Sequence, residues 1–147
     1  TNIIWVLSFN TSSDNTVPYK ELFPGEEYVD WVAIDGYNWG NAQPWGGWTS
    51  FNGVFRRSYD ELTALTAKPL MLSEVNSAPT GGDKALWLVD MLEKEIPGRY
   101  SQVQAFIIFN EDKTSGESVD WRMEKSENYL KVLKEHLNKP LYKSSYP

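Results

Sequence analysis

The sequence has 147 residues, of which 41% are hydrophobic and 23% charged, and this is the composition of a single globular domain. Its net charge of -6 disfavours nucleic acid and anionic membranes as partners, because both would repel an acidic surface. The absence of cysteine excludes disulfides and thiolate metal sites, and no apolar run is long enough for a transmembrane helix.

Four short runs rich in β-forming residues predict strands. These runs occupy residues 2–8, 29–37, 69–74 and 103–110. They are mostly continuous instead of alternating, which is typical of parallel strands covered on both faces.

Apolar residues at helical spacing predict three helices and one weak turn. The weak turn covers residues 19–23, in the first connection between strands. The first helix follows Thr49-Ser50 and ends before Lys68-Pro69, the second follows Gly81-Gly82-Asp83 and ends at Pro97-Gly98, and the third follows Ser126 and ends at Asn138. The chain therefore alternates strands and helices, which predicts an α/β fold.

Repeated βα units suit either an open parallel sheet or a (β/α)8 barrel. No glycine-rich phosphate loop follows any predicted strand, so nucleotide binding has no support. A complete TIM barrel needs about 250 residues and eight strands. We therefore expect residues 1–147 to form one unit, an α/β fold that is about half of a (β/α)8 TIM barrel.

Glu74 is the leading catalytic candidate. It closes the apolar run of residues 68–74, so the predicted strand carries its one carboxylate to the C-terminal end, where α/β folds place their chemistry. A carboxylate in that position suits a catalytic nucleophile. The structural alternative is a carboxylate that caps the loop before the next helix.

Tyr37, Trp39, Trp45 and Trp48 stand in or beside a loop rich in glycine, asparagine and proline. Exposed rings in such loops provide flat apolar surfaces for stacking on sugars, which predicts a carbohydrate ligand. The alternatives are that Tyr37 packs at the sheet rim and that at least one of the three tryptophans covers the core.

Four further aromatic and titratable residues have simpler interpretations. Trp5, Trp31 and Trp87 lie on predicted strands or helices and are expected in the core. His136, the only histidine, lies on a polar, lysine-rich helix and is expected to be an exposed surface residue.

Several stretches together resemble glycoside hydrolase family 26, the family of β-mannanases and related endo-glycanases. They are residues 2–6, 23–32, 34–40, 68–74, 81–85 and 120–122. Their order and spacing match strands five to eight of that family's barrel across nearly the whole chain. The candidates lie in two of them, Ile34-Asp35-Gly36-Tyr37-Asn38-Trp39-Gly40 and Lys68-Pro69-Leu70-Met71-Leu72-Ser73-Glu74.

The resemblance implies a role for each candidate. Glu74 matches the nucleophile of a retaining glycosidase, and Tyr37 matches the tyrosine that hydrogen-bonds it. Trp39, Trp45, Trp48, Asn110 and Trp121 are the expected substrate-binding residues. The family's acid/base, a glutamate after strand four, would precede Thr1 and is missing here. The substrate is expected to be β-1,4-mannan, with β-glucan or β-1,3-xylan as exceptions, and no metal or organic cofactor is required.

Two segments near the end of the chain, residues 108–111 and 120–122, either depart from the family pattern or have a second possible role. Ile108 replaces a tryptophan usually found before Phe109-Asn110. Glu111 could stand in for the absent acid, but a loop carboxylate after a strand is usually solvated. Asp120 and Trp121 are expected to line or close the groove, with a loop-anchoring salt bridge from Arg122 as the alternative.

Three hypotheses remain open from the sequence. The chain is half of an endo-β-mannanase that associates with the missing N-terminal half, a self-complementing dimer, or a non-catalytic carbohydrate-binding module. We expect an extracellular or cell-surface location, with the signal peptide not in this chain.

Overall fold

Four parallel strands form the main sheet. The structure, a computed structural model, describes residues 2–142. The strands β1 (Val6–Asn10), β2 (Trp31–Asn38), β3 (Leu70–Ser77) and β4 (Val103–Ile108) lie side by side in chain order. All three pairings are parallel, as predicted. Within the described residues, β1 and β4 are therefore the two edge strands.

Helices connect the strands and cover one face of the sheet. They are α1 (Tyr19–Leu22), α2 (Phe51–Leu65), α3 (Lys84–Asp90), which continues as the π-helical segment Met91–Arg99, and α4 (Glu127–Leu137). The predicted caps are confirmed at two helices. Ser50 accepts a hydrogen bond from Gly53 N at 3.1 Å, and Ser126 accepts one from Asn128 N at 3.2 Å.

Shorter elements complete the fold. A two-stranded antiparallel hairpin, β5 (Asp112–Lys113) and β6 (Val119–Asp120), follows β4 and leads into a 3-10 turn at Met123–Lys125. A second 3-10 turn, Glu26–Tyr28, precedes β2. Strands of two residues carry no periodic pattern, so the sequence did not predict the hairpin.

The main core lies between the sheet and its helices. Alternate residues of the strands point toward α2 and α3 and are almost fully buried, among them Val32, Ile34, Leu70 and Leu72. They pack against apolar residues of the helices that recur at helical spacing: Phe51, Phe55 and Leu62 of α2 and Trp87, Leu88 and Met91 of α3 and its extension.

The opposite face of the sheet is concave. Ser8 on β1 and Ser73 on β3 meet with 2.7 Å between their hydroxyl oxygens, although β2 lies between them. Neighbouring strands are about 4.8 Å apart, so two short side chains can span an intervening strand only if the sheet curls toward them. Such curvature is expected for part of a closed barrel. We call this surface, defined by Ser8, Asp35, Tyr37, Ser73 and Glu74, the open face.

Several predictions from the sequence are wrong in detail. The strand ending at Glu74 continues to Ser77, and the first strand begins at Val6 instead of residue 2. Trp87 is buried as expected and Trp31 is half-buried, but Trp5 is 65% exposed. Trp5 precedes an edge strand, so no neighbouring strand covers it.

His136 is buried instead of exposed, with 6% of its surface accessible. Its helix packs against α3, and the ring turns inward between the two. Nδ1 lies 2.7 Å from Val132 O, and Nε2 lies 2.9 Å from Glu93 Oε1 on the π-helical segment. The neighbouring lysines made the whole helix look polar, so the sequence pattern did not indicate that His136 faces inward.

The helices of residues 2–142 are all too short or too polar to cross a membrane.

Candidate active site

A bulge in β3 turns Glu74 toward the open face. Leu70, Leu72 and Val75 all contribute to the core on the helix side. Because side chains alternate along a strand, the three-residue step from Leu72 to Val75 requires one extra residue. The register shifts at this point against both neighbouring strands. Without the bulge, Glu74 would share the helix-facing side with Leu72.

Tyr37 contacts Glu74 directly. The Tyr37 hydroxyl donates a hydrogen bond to Glu74 Oε2 from the adjacent strand β2. Burial, followed by the bond to Glu74, raises the pKa of Tyr37 far above its usual value, so the phenol keeps its proton and remains a donor. The predicted hydrogen bond is therefore present, and it fixes one oxygen of the carboxylate.

Asp35 adds a second carboxyl group that the sequence analysis missed. It is the register partner of Glu74 on β2 and lies on the same face as Tyr37. Burial and the neighbouring Glu74 raise the pKa of Asp35. With the side-chain amide of Asn10 oriented so that its nitrogen faces Asp35, Asn10 donates to both Asp35 carboxylate oxygens at 2.8 Å. The two-residue spacing of Asp35 and Tyr37 was the signal that could have revealed it.

Two of the three loop tryptophans extend from Tyr37 as a wall. The Tyr37 and Trp39 ring centroids are 5.9 Å apart, and those of Trp39 and Trp45 are 5.2 Å apart. Trp45 ends the row and is 68% exposed, an unusual position for an indole without a partner. We call Tyr37, Trp39 and Trp45 the aromatic wall.

Trp48 belongs to a different part of the molecule. It packs against the helix-side core and lies against Gly82, where no side chain could fit beneath the ring. Together with Phe51 and Trp87 it lines a cavity of about 230 Å³ between α2 and α3. The expectation that Trp48 joins the other two tryptophans beside Glu74 is corrected, and its alternative, coverage of the core, is the one observed.

Trp121 supports the aromatic wall from beneath. Only 1% of its surface is exposed, so the expectation that it contacts substrate directly is corrected. Its ring centroid lies 4.9 Å from that of Tyr37 and 5.2 Å from that of Trp39. Its Nε1 donates to Glu117 Oε2 at 3.3 Å. The ring therefore backs the wall and has no free surface for a sugar.

The side chain of Asn110 is already engaged within the protein. Its Oδ1 accepts from Met123 N at 2.6 Å, and its Nδ2 donates to Glu124 Oε2 at 3.1 Å. Both polar groups thus anchor the 3-10 turn, and the expected role of Asn110 in binding substrate stays a prediction. Glu111 is 56% exposed at its side chain and pairs with Lys113 at 3.3 Å, as expected for a solvated loop carboxylate.

An ion-pair cluster holds the hairpin against the turn. Arg122 contacts Asp112 at 2.6 Å and Asp120 at 2.8 Å, and Lys125 contacts Asp120 at 3.1 Å. These bonds, with that from Arg122 first, lower the pKa of Asp120 well below its usual range. The loop-anchoring salt bridge considered from the sequence is therefore present.

The site presents carboxylate chemistry beside an aromatic surface. Within residues 2–142, no three histidine, aspartate or glutamate side chains gather as metal ligands. The nucleophile candidate Glu74 carries a fixed donor, and the adjacent Asp35 has a raised pKa. An oriented carboxylate next to stacked rings can attack an anomeric carbon held by ring stacking.

The chain is similar to one protein family, to a longer relative and to a solved structure. The sequence profile of Glycosyl hydrolase family 26 matches residues 1–97. Endoglucanase H of Acetivibrio thermocellus is 40% identical over 139 residues, which make up 92% of this chain and 15% of that protein. The structure of GH26A from Muricauda sp. MAR_2010_75 matches with a TM-score of 0.56 and 21% identity, over 96% of this chain and 36% of that one. The chain thus spans well under half of either relative.

Proposed function

The chain belongs to glycosyl hydrolase family 26, and from this premise we propose that it is part of an endo-acting, retaining hydrolase of β-linked polysaccharides. Glu74 is the proposed nucleophile. The observation that carries this assignment is the bulge that turns Glu74 to the open face, where Tyr37 donates to it at the foot of the aromatic wall.

The proposed reaction follows the two-step retaining mechanism. A Glu74 oxygen bonds to the anomeric carbon while the glycosidic C–O bond breaks and an acid protonates the departing oxygen. Water then attacks the same carbon, gives its proton to the former acid, and releases Glu74 as a carboxylate. Tyr37 holds one carboxylate oxygen, which leaves the other for attack.

We assign the acid/base to a segment outside this chain. Retaining enzymes hold their two carboxyl groups about 5 to 5.5 Å apart on opposite sides of the scissile bond. Asp35 lies on the strand directly beside Glu74, so it approaches a sugar from the same side. Its proposed part is electrostatic, since burial and the neighbouring Glu74 raise the pKa of Asp35 and its carboxyl group lies directly beside the nucleophile.

The four strands are proposed to be strands five to eight of a (β/α)8 barrel, with residues 1–147 as its C-terminal half. The unpaired edges of β1 and β4 and the exposed Trp5 and Ile107 on or beside them favour an association that closes the barrel. The partner that closes the barrel is the N-terminal half or, in the self-complementing dimer, a second copy of this chain. A chain that stays monomeric in light scattering at high concentration would exclude the dimer.

The substrate is proposed to be β-1,4-mannan, with β-glucan as the second candidate. The resemblance of the motifs to the β-mannanase family favours mannan. The name of the 40% identical relative, Endoglucanase H, favours β-glucan, although this chain corresponds to only 15% of that protein. Comparison of mannan, galactomannan, lichenan and xylan hydrolysis decides between them. We also propose an extracellular or cell-surface location, which suits a polymer too large to be taken up.

Activated substrates test the nucleophile without the absent acid. A 2,4-dinitrophenyl β-mannobioside or β-cellobioside has a leaving group that departs without protonation. We expect the chain to release dinitrophenol and Glu74→Gln to release none, whereas Glu111→Gln, a matched change of an exposed carboxylate, keeps the wild-type rate. Binding of either glycoside without release, unchanged in Glu74→Gln, would instead support the non-catalytic binding module, which the exposed Trp45 would also serve.

A further inference from the structure

Lys84 is a buried ammonium group that the proposed reaction does not use. It is the first residue of α3 and is 1% exposed. Asp120, whose charge acts on it, is already paired with Arg122 and Lys125. The polar contact described for Lys84 is a hydrogen bond from Nζ to the backbone oxygen of Trp121 at 3.0 Å, and the ammonium lies 5.1 Å from the centre of the Tyr129 ring.

This burial is costly for a charged group. Desolvation lowers the pKa of Lys84 to about 8, so at neutral pH the fold holds an ammonium that would be better solvated outside. A methionine of similar length would fill the same space without that cost. A buried charge that weakens the fold calls for a function, because packing alone does not require it.

The contact made by Lys84 leads to the aromatic wall. Asn76, two residues after Glu74 on β3, also donates to the Trp121 oxygen, at 2.7 Å. Two donors from different elements therefore fix one carbonyl. The ring of the same residue, Trp121, lies against Tyr37, and Tyr37 donates to Glu74. Movement of the Trp121 backbone would change the position of the phenol that orients the carboxylate.

We propose that Lys84 is a positioning residue, which together with Asn76 fixes the Trp121 backbone and thereby holds Tyr37 in place against Glu74. Lys84 acts only through Trp121, and its described contacts include neither Glu74 nor the open face. The inference rests on the proposed function for its catalytic consequence, but the coupling between Lys84 and Tyr37 can be observed without any substrate.

Lys84→Met separates positioning from simple structural support. A residue that only supports the fold lowers the melting temperature when it is replaced. Lys84→Met is expected to keep or raise the melting temperature, because it removes a buried charge and conserves volume. It is also expected to shift the 13Cζ resonance of Tyr37, assigned with Tyr37→Phe, and to slow dinitrophenyl glycoside cleavage about tenfold to a hundredfold.

The matched control is Lys94→Met, on the helical extension of α3. Lys94 is 70% exposed at its side chain and pairs with Asp90, four residues earlier, so its loss is expected to change neither the Tyr37 resonance nor the rate. The proposal is overturned if the Tyr37 resonance has the same chemical shift in Lys84→Met as in Lys94→Met. An inactive wild-type chain would refute the proposed function alone, since the resonance test does not depend on turnover.

A second measurement on the unmodified chain covers the case in which Lys84→Met fails to fold. Titration of Lys84 should move the Tyr37 resonance with a midpoint near the Lys84 pKa of about 8. The titratable groups around Lys84 are Asp120 from β6 and Tyr129 from α4. The pKa of Asp120 lies far below this midpoint, and the pKa of Tyr129 is raised above its usual value. A Tyr37 resonance that is flat from pH 7 to about 9 would overturn the proposal.

Discussion

Replacement of Asn76 by alanine should destabilise the fold severely. Asn76 is fully buried, and its Nδ2 donates to Phe109 O and Trp121 O, both at 2.7 Å, while its Oδ1 accepts from Ser77 N at 2.7 Å. In Asn76→Ala the Trp121 oxygen keeps its bond from Lys84, but Phe109 O and Ser77 N lose these partners.

The cost follows from the two groups left without a partner. Each unsatisfied buried group costs about 1 to 3 kcal/mol, so the variant should lose about 2 to 6 kcal/mol of unfolding free energy. Domains of this size have about 5 to 15 kcal/mol in total, so the loss would be large. Urea denaturation measures it directly.

Asn15→Ala is the matched control, because Asn15 is exposed and should change the unfolding free energy by less than about 0.5 kcal/mol. A loss below about 1 kcal/mol in Asn76→Ala would refute the claim that this side chain ties β3 to the segments after β4.

Three further predictions address the site and its support. The pKa of Lys84 in the folded state is about 8, below the ordinary value of 10.5, so the free energy of unfolding should rise by at most about 3 kcal/mol as the pH increases from about 8 to 10.5. Lys84→Met should abolish that rise in denaturation curves. Tyr37→Phe removes the donor to Glu74 and should reduce cleavage of activated glycosides about tenfold to a hundredfold, with an unchanged rate contradicting its role. Trp45→Ala should weaken oligosaccharide binding in calorimetry about tenfold at unchanged stability, whereas Trp48→Ala should lower the melting temperature and leave affinity intact.

The strand and helix pattern could be predicted because it depends on local chemistry. Ser50 and Ser126 begin their helices as the sequence indicates, and the apolar runs pair as parallel strands. These features follow from spacing and capping, which are properties of short segments. The proximity of Tyr37 to Glu74 came instead from the family resemblance, since it joins residues 37 positions apart.

The features that position the site depend on tertiary packing and were missed. The bulge near Glu74 is visible only when Leu72 and Val75 are known to face the same core. Trp48 was expected in an exposed loop, and Trp121 was expected to line or close the groove, but each fills a space beside another element. A lysine is rarely fully buried, so nothing local identified Lys84.

Covalent trapping of Glu74 tests the central claim most directly. A 2-deoxy-2-fluoro-β-glycosyl fluoride needs no acid, because fluoride leaves unprotonated as the carboxylate bonds to the anomeric carbon, and the 2-fluoro group slows hydrolysis of the ester. The account predicts that peptide mass spectrometry finds one sugar attached to Glu74, and none on Glu74→Gln. A label on Asp35 or Glu111 instead, with Glu74 unmodified, would contradict it.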